Sequence, residues 1–208
     1  MEFPEGSGVH TANDIVSDAA EEAARHTVVH ITKPGTYRIS GALSAGQIAV
    51  DLGENAKTDP NVVVTLILDG AEITCSVAPA VIFYNVYESN QPGGPAGAHV
   101  RIAEASWNQL TGSHTEEYDG ALYSRMSMAI DGEGFLDIKA DNEGLCSEKH
   151  LTVNSGTIAI ASGNDGINAN ADGESVVTVN GGNLTIQVTG GTGEGDGIDS
   201  NGSVVLLP

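Results

Sequence analysis

Three segments near the C-terminal end of the chain align with one another, and their period is not helical. Met128–Ile138, Leu151–Ile160 and Val177–Ile186 each read as strand, Asn- or Asp-containing turn, glycine, strand. A second pattern recurs in phase with them: Asp119-Gly120-Ala121-Leu122, Asn142-Glu143-Gly144-Leu145, Asn164-Asp165-Gly166-Ile167 and Gly195-Asp196-Gly197-Ile198. Ala121, Gly144, Gly166 and Gly197 occupy one slot, at spacings of 23, 22 and 31 residues. A unit of this length cannot bury its apolar face alone, so self-similar units must stack on one another. Short alternating strands without a helical period make the stack a β-solenoid of parallel strands. The expected fold is therefore all-β, a single-stranded parallel β-helix of about seven coils.

Composition narrows the function classes. The 208 residues suffice for one domain. Charged residues make up only 17 %, yet 28 acids face 8 bases and the formal net charge is -20. A surface of that sign excludes nucleic acid and anionic membranes as partners, since phosphates need lysine and arginine to neutralise them. It favours cations, or ligands that arrive with cations; acidic residues also serve solubility alone. Twenty-seven glycines and 4 % aromatics suit many tight turns better than an aromatic-filled sandwich. No run approaches the ~18 apolar residues of a membrane span, and Met1–Gly6 has neither the basic start nor the apolar run of a secretory signal. Cys75 and Cys146 fall at different places in the repeat, with two or three coils between them. At ~4.8 Å per stacked strand they lie beyond the ~7 Å that a disulfide allows, which leaves two free thiols.

Residues 1–26 read as a leader and cap, and residues 27–208 as the β-helix. Within the leader, Asp14–Arg25 is rich in alanine and glutamate, and Ser17 is placed to cap a short helix over the open end of the stack. An extended lead-in is the alternative. Strand patterns start at Thr27 and continue through Thr36–Gly41, Gln47–Asp51 and Val62–Gly70, while Ser89–Ala98 is a proline- and glycine-rich loop. The last strand pattern, Ser203–Leu207, matches Ser175–Val179, so the sequence stops inside a coil.

Thr32–Gly41, Gly46–Val50 and Leu66–Thr74 resemble the opening coils of a secreted bacterial family of carbohydrate-binding domain-containing proteins, related in fold to β-helical polysaccharide lyases. Asn164–Ile167 and Gly195–Gly202 are similar to the repeating loops of that family, and the resemblance runs from Val28 onward. It implies a right-handed β-helix, calcium on the coil surface, binding of plant-type polysaccharide, and a location outside the cell or on its surface.

Stacking the repeats defines columns. One holds Gly120, Glu143, Asp165 and Asp196; the next outward holds Tyr123, Cys146, Asn168 and Asp199. Carboxylates ~4.8 Å apart repel by roughly 1 to 3.5 kcal/mol, depending on the effective dielectric. Calcium relieves such repulsion well, because it takes 6 to 8 oxygen ligands in a forgiving geometry. Glu143, Asp165, Asn168, Asp196 and Asp199 are therefore the candidate calcium ligands. The same Asp-Gly pairs also satisfy plain turn chemistry. Asp131, Asn154 and Asn180 form a further column that reads as a structural hydrogen-bond ladder. Gly190–Asp196 comes near a calcium-binding nonapeptide, but its aspartate arrives one residue late and in a single copy.

No catalytic residue stands out. A lyase acting on acidic glycans needs a base beside a neutralised uronate; Arg125, Lys139 and Lys149 are the bases within the repeats, and both lysines sit next to acids. Too many carboxylates are present to single out a glycosidase pair, and the histidines lack zinc-ligand spacing. Trp107, Tyr118 and Tyr123 are the candidate sugar-stacking residues, with Trp107 also readable as a buried anchor. The leading reading is a non-catalytic, calcium-assisted polysaccharide binder. Its rivals are a polysaccharide lyase and a structural stalk or adhesin module.

Overall fold

The protein is described by a computed structural model, which covers residues 6–190 and 195–207. Its elements are β1 (Val9–Ala12), α1 (Ala20–Ala23), β2 (Thr27–Ile31), β3 (Gly35–Leu43), β4 (Gly46–Asp51), β5 (Val64–Thr74), β6 (Val81–Asn85), β7 (Ala98–Ile102) and β8 (Trp107–Gly112). They continue as β9 (Gly120–Ser124), β10 (Met128–Gly132), β11 (Phe135–Ala140), β12 (Glu143–Ser147), β13 (Leu151–Val153), β14 (Thr157–Ser162), β15 (Ile167–Ala169), β16 (Val176–Val179), β17 (Asn183–Val188) and β18 (Ser203–Leu206).

The strands form two sheets. One has seven strands in the order β1-β2-β4-β6-β9-β12-β15. The other has eleven: one run β17-β14-β11-β8 and another β7-β10-β13-β16-β18 meet at β5, which also carries β3. Nearly all pairings are parallel, because the strands that pair, β1 with β2 excepted, are separated in sequence by at least one other strand that returns the chain to the same end.

Here the expected single-stranded right-handed β-helix is corrected. The seven-stranded sheet is mixed, because β1 lies antiparallel on β2. The eleven-stranded sheet is curled about one shared strand instead of stacking one strand per coil. The first half of β5 pairs with β7 from Val64 to Leu68, and its second half pairs with β8 from Glu72 to Thr74. Gly70 separates the halves with φ at +75°, a left-handed conformation that only glycine adopts without strain. Asn108 locks this bend. Its Oδ1 accepts the backbone N–H groups of Gly70 and Ala71, both at 2.9 Å, and its Nδ2 donates to Ser106 Oγ at 2.8 Å and to the Phe135 carbonyl at 3.1 Å. Periodicity reveals which residues stack, but not that one strand serves two ladders.

The core follows from strand alternation, since every second side chain faces inward. Leu122, Leu145 and Ile167 stand in one inner column and are fully buried. Leu66, Val100, Ile130, Val153 and Val179 make another, through four consecutive parallel registers. Each fully buried aliphatic side chain contributes ~1.5–3 kcal/mol. Gly144 and Gly166 are required for space: a Cβ on Gly144 would lie 2.6 Å from the Gly166 carbonyl oxygen, and one on Gly166 would lie 2.7 Å from that of Gly197.

The N-terminal helix is shorter than expected, and Ser17 does not cap it. Ala19 is its N-cap residue and makes no side-chain cap, while Ser17 Oγ accepts the Ala19 N–H at 3.1 Å in the approach to the helix. Ala23 packs on Cys75, Val77 and Ala78 at the flank of the sheets. Cys75 and Cys146 are both free and buried.

Candidate functional site

The outer face of the curled sheet carries an aromatic pair. Phe135 on β11 stands in register with Trp107 on β8, and their rings lie nearly parallel, at 10° with centroids 6.4 Å apart. Trp107 is 53 % exposed. Burial is the rule for so large an apolar side chain, so its exposure on a rigid strand is informative. The bend at Gly70 and the Asn108 bridge fix the backbone beneath both rings. Register then continues the outward columns. Gln109 and Thr111 neighbour Asp137 and Lys139, with Glu72 and Thr74 of β5 on their other side; Thr157 and Asn183 follow Phe135; Ala159 and Ala161 follow Asp137 and Lys139, with Thr185 and Gln187 one strand further. The result is a strip with stacked rings at one end and hydroxyl, amide and charged groups along it, broken on β14 by Ala159 and Ala161. Aromatic faces offer apolar area, and the surrounding polar groups offer directional hydrogen bonds. Lys139 Nζ lies 3.4 Å from Asp137 Oδ2, so the strip's ammonium is partnered by a carboxylate.

Sequence reasoning chose Trp107 but missed Phe135, because only the β8–β11 register makes the two neighbours. It also grouped Trp107 with Tyr118 and Tyr123, and that grouping is corrected. Tyr118 and Tyr123 are 4 % and 2 % exposed and pack together beside the other sheet, with Tyr84, Ile82 and Cys146 around them. The Tyr123 hydroxyl donates to Glu148, and burial followed by the Glu148 contact raises its pKa. Neither ring presents a free face for stacking. The segment before β9 hides them: Tyr118 is held by a turn in which Thr115 Oγ1 accepts its N–H at 2.9 Å.

The five candidate calcium ligands divide into two groups. Glu143 and Asn168 meet directly, with Asn168 Nδ2 donating to Glu143 Oε1 at 2.7 Å. Both are more than nine-tenths buried, and Glu143 Oε2 and Asn168 Oδ1 each lack a hydrogen-bond partner. Buried acceptors without donors cost free energy, ~1–3 kcal/mol for a neutral group. Burial, with Asp119 and Asp165 adding to it, pushes the Glu143 carboxyl up to about 7 against opposing bonds from Cys146 and Asn168. Asp165 is buried next to them and accepts the Asp196 backbone N–H at 2.7 Å; burial comes first among the causes that raise its pKa. Asp196 is exposed and Asp199 half-buried on the following turn. Among the described residues no three His, Cys, Asp or Glu side chains converge as a ready-made metal centre. Two orphaned oxygens, one from a carboxylate and one from an amide, beside a second carboxylate nevertheless fit the donor type of a hard, oxygen-seeking cation. The near-nonapeptide Gly190–Asp196 falls largely outside the described residues.

Elsewhere, Asn180 Nδ2 donates to Asn154 Oδ1 at 2.7 Å, as expected of a ladder. Asp131 does not join it. Its carboxylate is held by His99 Nε2 at 2.8 Å and Arg101 Nε at 2.9 Å. Lys149 lines a separate shallow hollow with Asn90, Pro92, His150, Ala171 and Glu174, so the two lysines considered for lyase chemistry do not share a site. No helix among the described residues is long and apolar enough to cross a membrane.

Comparison with known proteins places this architecture. A family model described as carbohydrate-binding domain-containing protein matches residues 25–205. A carbohydrate-binding domain-containing protein of Acetivibrio thermocellus is 31 % identical over 133 residues, which cover 64 % of this chain and 44 % of that relative. The chain thus spans less than half of the relative's length. Among solved structures, a polysaccharide lyase-like protein from C. thermocellum, solved as a gadolinium derivative, superposes with a TM-score of 0.60 at 23 % identity. The superposition covers 86 % of this chain and 87 % of the other; the likeness is one of fold.

Proposed function

The chain belongs to the carbohydrate-binding domain-containing protein family, and from that premise we propose that it binds polysaccharide of the plant cell-wall type without cleaving it. The binding surface in this reading is the strip headed by Trp107 and Phe135. One observation carries it: a stacked aromatic pair, with Trp107 exposed and Phe135 half-buried, on strands whose further outward positions include hydroxyls and amides. Sugars present an apolar ring face and a polar rim, and this strip offers the complement of both. The reading without cleavage is supported by the ammonium on the strip, which is partnered by Asp137.

Calcium assistance is the finer part of the proposal. Glu143, Asn168 and Asp165 would hold the ion, which would neutralise carboxylates and stiffen the stacked turns. In a protein of formal charge -20, bound calcium also lowers the repulsion toward acidic glycans. A place of work outside the cell or on its surface completes the reading, since that is where such polysaccharides are met.

Affinity electrophoresis in gels containing neutral and acidic plant polysaccharides tests both parts. Trp107→Ala should weaken binding at least about tenfold, equivalent to ~1.4 kcal/mol. Calcium should raise the melting temperature by mass action, and Glu143→Gln combined with Asp165→Asn should remove that increment. Unchanged retardation of Trp107→Ala would reject the strip as the binding surface. An unchanged melting curve in millimolar calcium would reject the cation site and leave the strip standing.

A further inference from the structure

Where β5 ends beside α1, a hydroxyl and an imidazole meet that sugar stacking on Trp107 does not use. His26 follows the helix directly: the Arg25 N–H donates to the Glu22 carbonyl and the His26 N–H to that of Ala23, each at 2.9 Å. Asn13 Nδ2 donates to the His26 carbonyl at 2.9 Å and fixes the backbone there. His26 is 4 % exposed, and its Nδ1 lies 3.0 Å from the Glu22 carbonyl oxygen. A carbonyl can only accept, so the neutral ring carries its proton on Nδ1 and offers Nε2 as an acceptor. Nε2 lies 3.2 Å from Ser76 Oγ. Ser76 is exposed and stands two residues beyond β5, on a chain tied down by the bond from the Cys75 N–H to the Thr111 carbonyl at 2.9 Å. Its hydroxyl has a second acceptor in Glu22 Oε1 at 3.0 Å, so an imidazole and a carboxylate both draw on its proton.

The pair opens into a hollow of about 410 Å³ whose wall also carries Glu21, Arg25 and Ser44. Arg25 is exposed and makes no ion pair among the described residues. Ser76 lines a second hollow as well, of about 440 Å³, together with Thr111, Lys139, Ala161 and Thr189. Thr74, Thr111 and Lys139 are level in register, so this second hollow joins Ser76 to the end of the strip away from Trp107. A nucleophile beside a base, the base oriented by a third group, and a cation facing the same open space are the parts that acyl transfer requires. The polar and charged lining suits a small acyl group on a polyol better than a fatty ester.

We propose that Ser76 and His26 form a catalytic dyad that hydrolyses small acyl esters, acetyl above all, on the hydroxyls of the bound glycan, with Arg25 as donor to the oxyanion. Ser76 Oγ attacks the ester carbonyl carbon while His26 Nε2 takes its proton, and Arg25 stabilises the negative oxygen that forms. The bond from the acyl carbon to the sugar oxygen then breaks, His26 returns the proton to that oxygen, and the acyl group stays on Ser76. Water attacks the acyl carbon and gives a proton to His26; the carboxylic acid leaves and Ser76 recovers its hydroxyl. One ester and one water become one alcohol and one acid, and the glycan backbone stays whole. The choice of a glycan ester rests on the polysaccharide-binding reading above, whereas the dyad itself does not.

Hydrolysis of 4-nitrophenyl acetate and labelling by a fluorophosphonate probe test the dyad without any glycan. Wild type should hydrolyse the ester above the buffer rate and take up the probe on Ser76, located by peptide mass spectrometry. Ser76→Ala, a change at an exposed position, should abolish the label and lower kcat/KM about a hundredfold or more. His26→Gln should lower kcat/KM by a similar factor and the double variant no further, because the two residues act as a unit. Arg25→Gln should lower kcat about a hundredfold with KM little changed. A wild type that lacks either the hydrolysis or the Ser76 label overturns the proposal, as does Ser76→Ala working at the wild-type rate; the pair is then only a tie between α1 and β5. Acetate release from acetylated xylan, read beside retardation in gels of the same polymer, tests the substrate, and both are expected. Retardation without release rejects the glycan ester, whereas lost retardation with small-ester hydrolysis intact rejects the polysaccharide reading alone.

Discussion

Asp131 and Glu143 are both withdrawn from water, and their neighbours drive them in opposite directions. Burial works to raise the Asp131 carboxyl, but hydrogen bonds from Arg101 and His99 outweigh it and hold the group below the usual aspartate range. Glu143 meets other carboxylates and an amide, and goes up. A depressed carboxylate stabilises the fold above its unfolded pKa, near 3.9, and the contribution is lost as pH falls through the folded value. The melting-temperature gap between wild type and Asp131→Asn should therefore be widest near neutrality and narrow steadily below about pH 4. A gap that is constant with pH would mean that the carboxylate's charge does not matter there. The sequence placed Asp131 correctly in the turn column above Asn154, but could not assign its partners. His99 and Arg101 lie about thirty residues upstream, and only the β7–β10 register, with Asp131 opposite Arg101, brings them alongside.

Among the elements, β5 decides how the whole chain closes. Its 11 residues read in the sequence as a strand that stops at Asp69-Gly70, yet it continues through the glycine and feeds a second ladder. The repeat pattern made the later strands legible, since Leu145 and Ile167 stack as their phase required. It failed at β5 because nothing local reveals that a turn-like Asp-Gly lies within a strand. What makes the bend tolerable is Asn108, 38 residues away, which takes the N–H of Gly70. Asn108→Ala leaves the buried N–H of Ala71 without an acceptor, at ~1–3 kcal/mol, frees the N–H of exposed Gly70, and removes a fully buried side chain that bridges three segments. Denaturant unfolding should show a loss of about 2–4 kcal/mol, a larger effect than that of Trp107→Ala one position earlier. A loss under about 0.5 kcal/mol would mean that the bend holds itself.

For the molecule as a whole, charge and shape are divided between regions. Acids dominate the total, while the strip beside Trp107 sets Asp137 and Glu72 against Lys139 among hydroxyl, amide, alanine and aromatic side chains. That division was only half legible. Composition gave the net charge and the scarcity of aromatics, but which aromatics face water depends on coverage from distant segments, as the burial of Tyr118 and Tyr123 demonstrates. Trp107 is the chain's one tryptophan, so its emission reports on the proposed sugar-stacking position without interference. Titrating the protein with a soluble plant polysaccharide should give a saturable change in tryptophan fluorescence whose midpoint matches the affinity measured by retardation, and Phe135→Ala should shift that midpoint to higher glycan concentration. Glycan binding that leaves the emission of Trp107 unaltered would contradict the account.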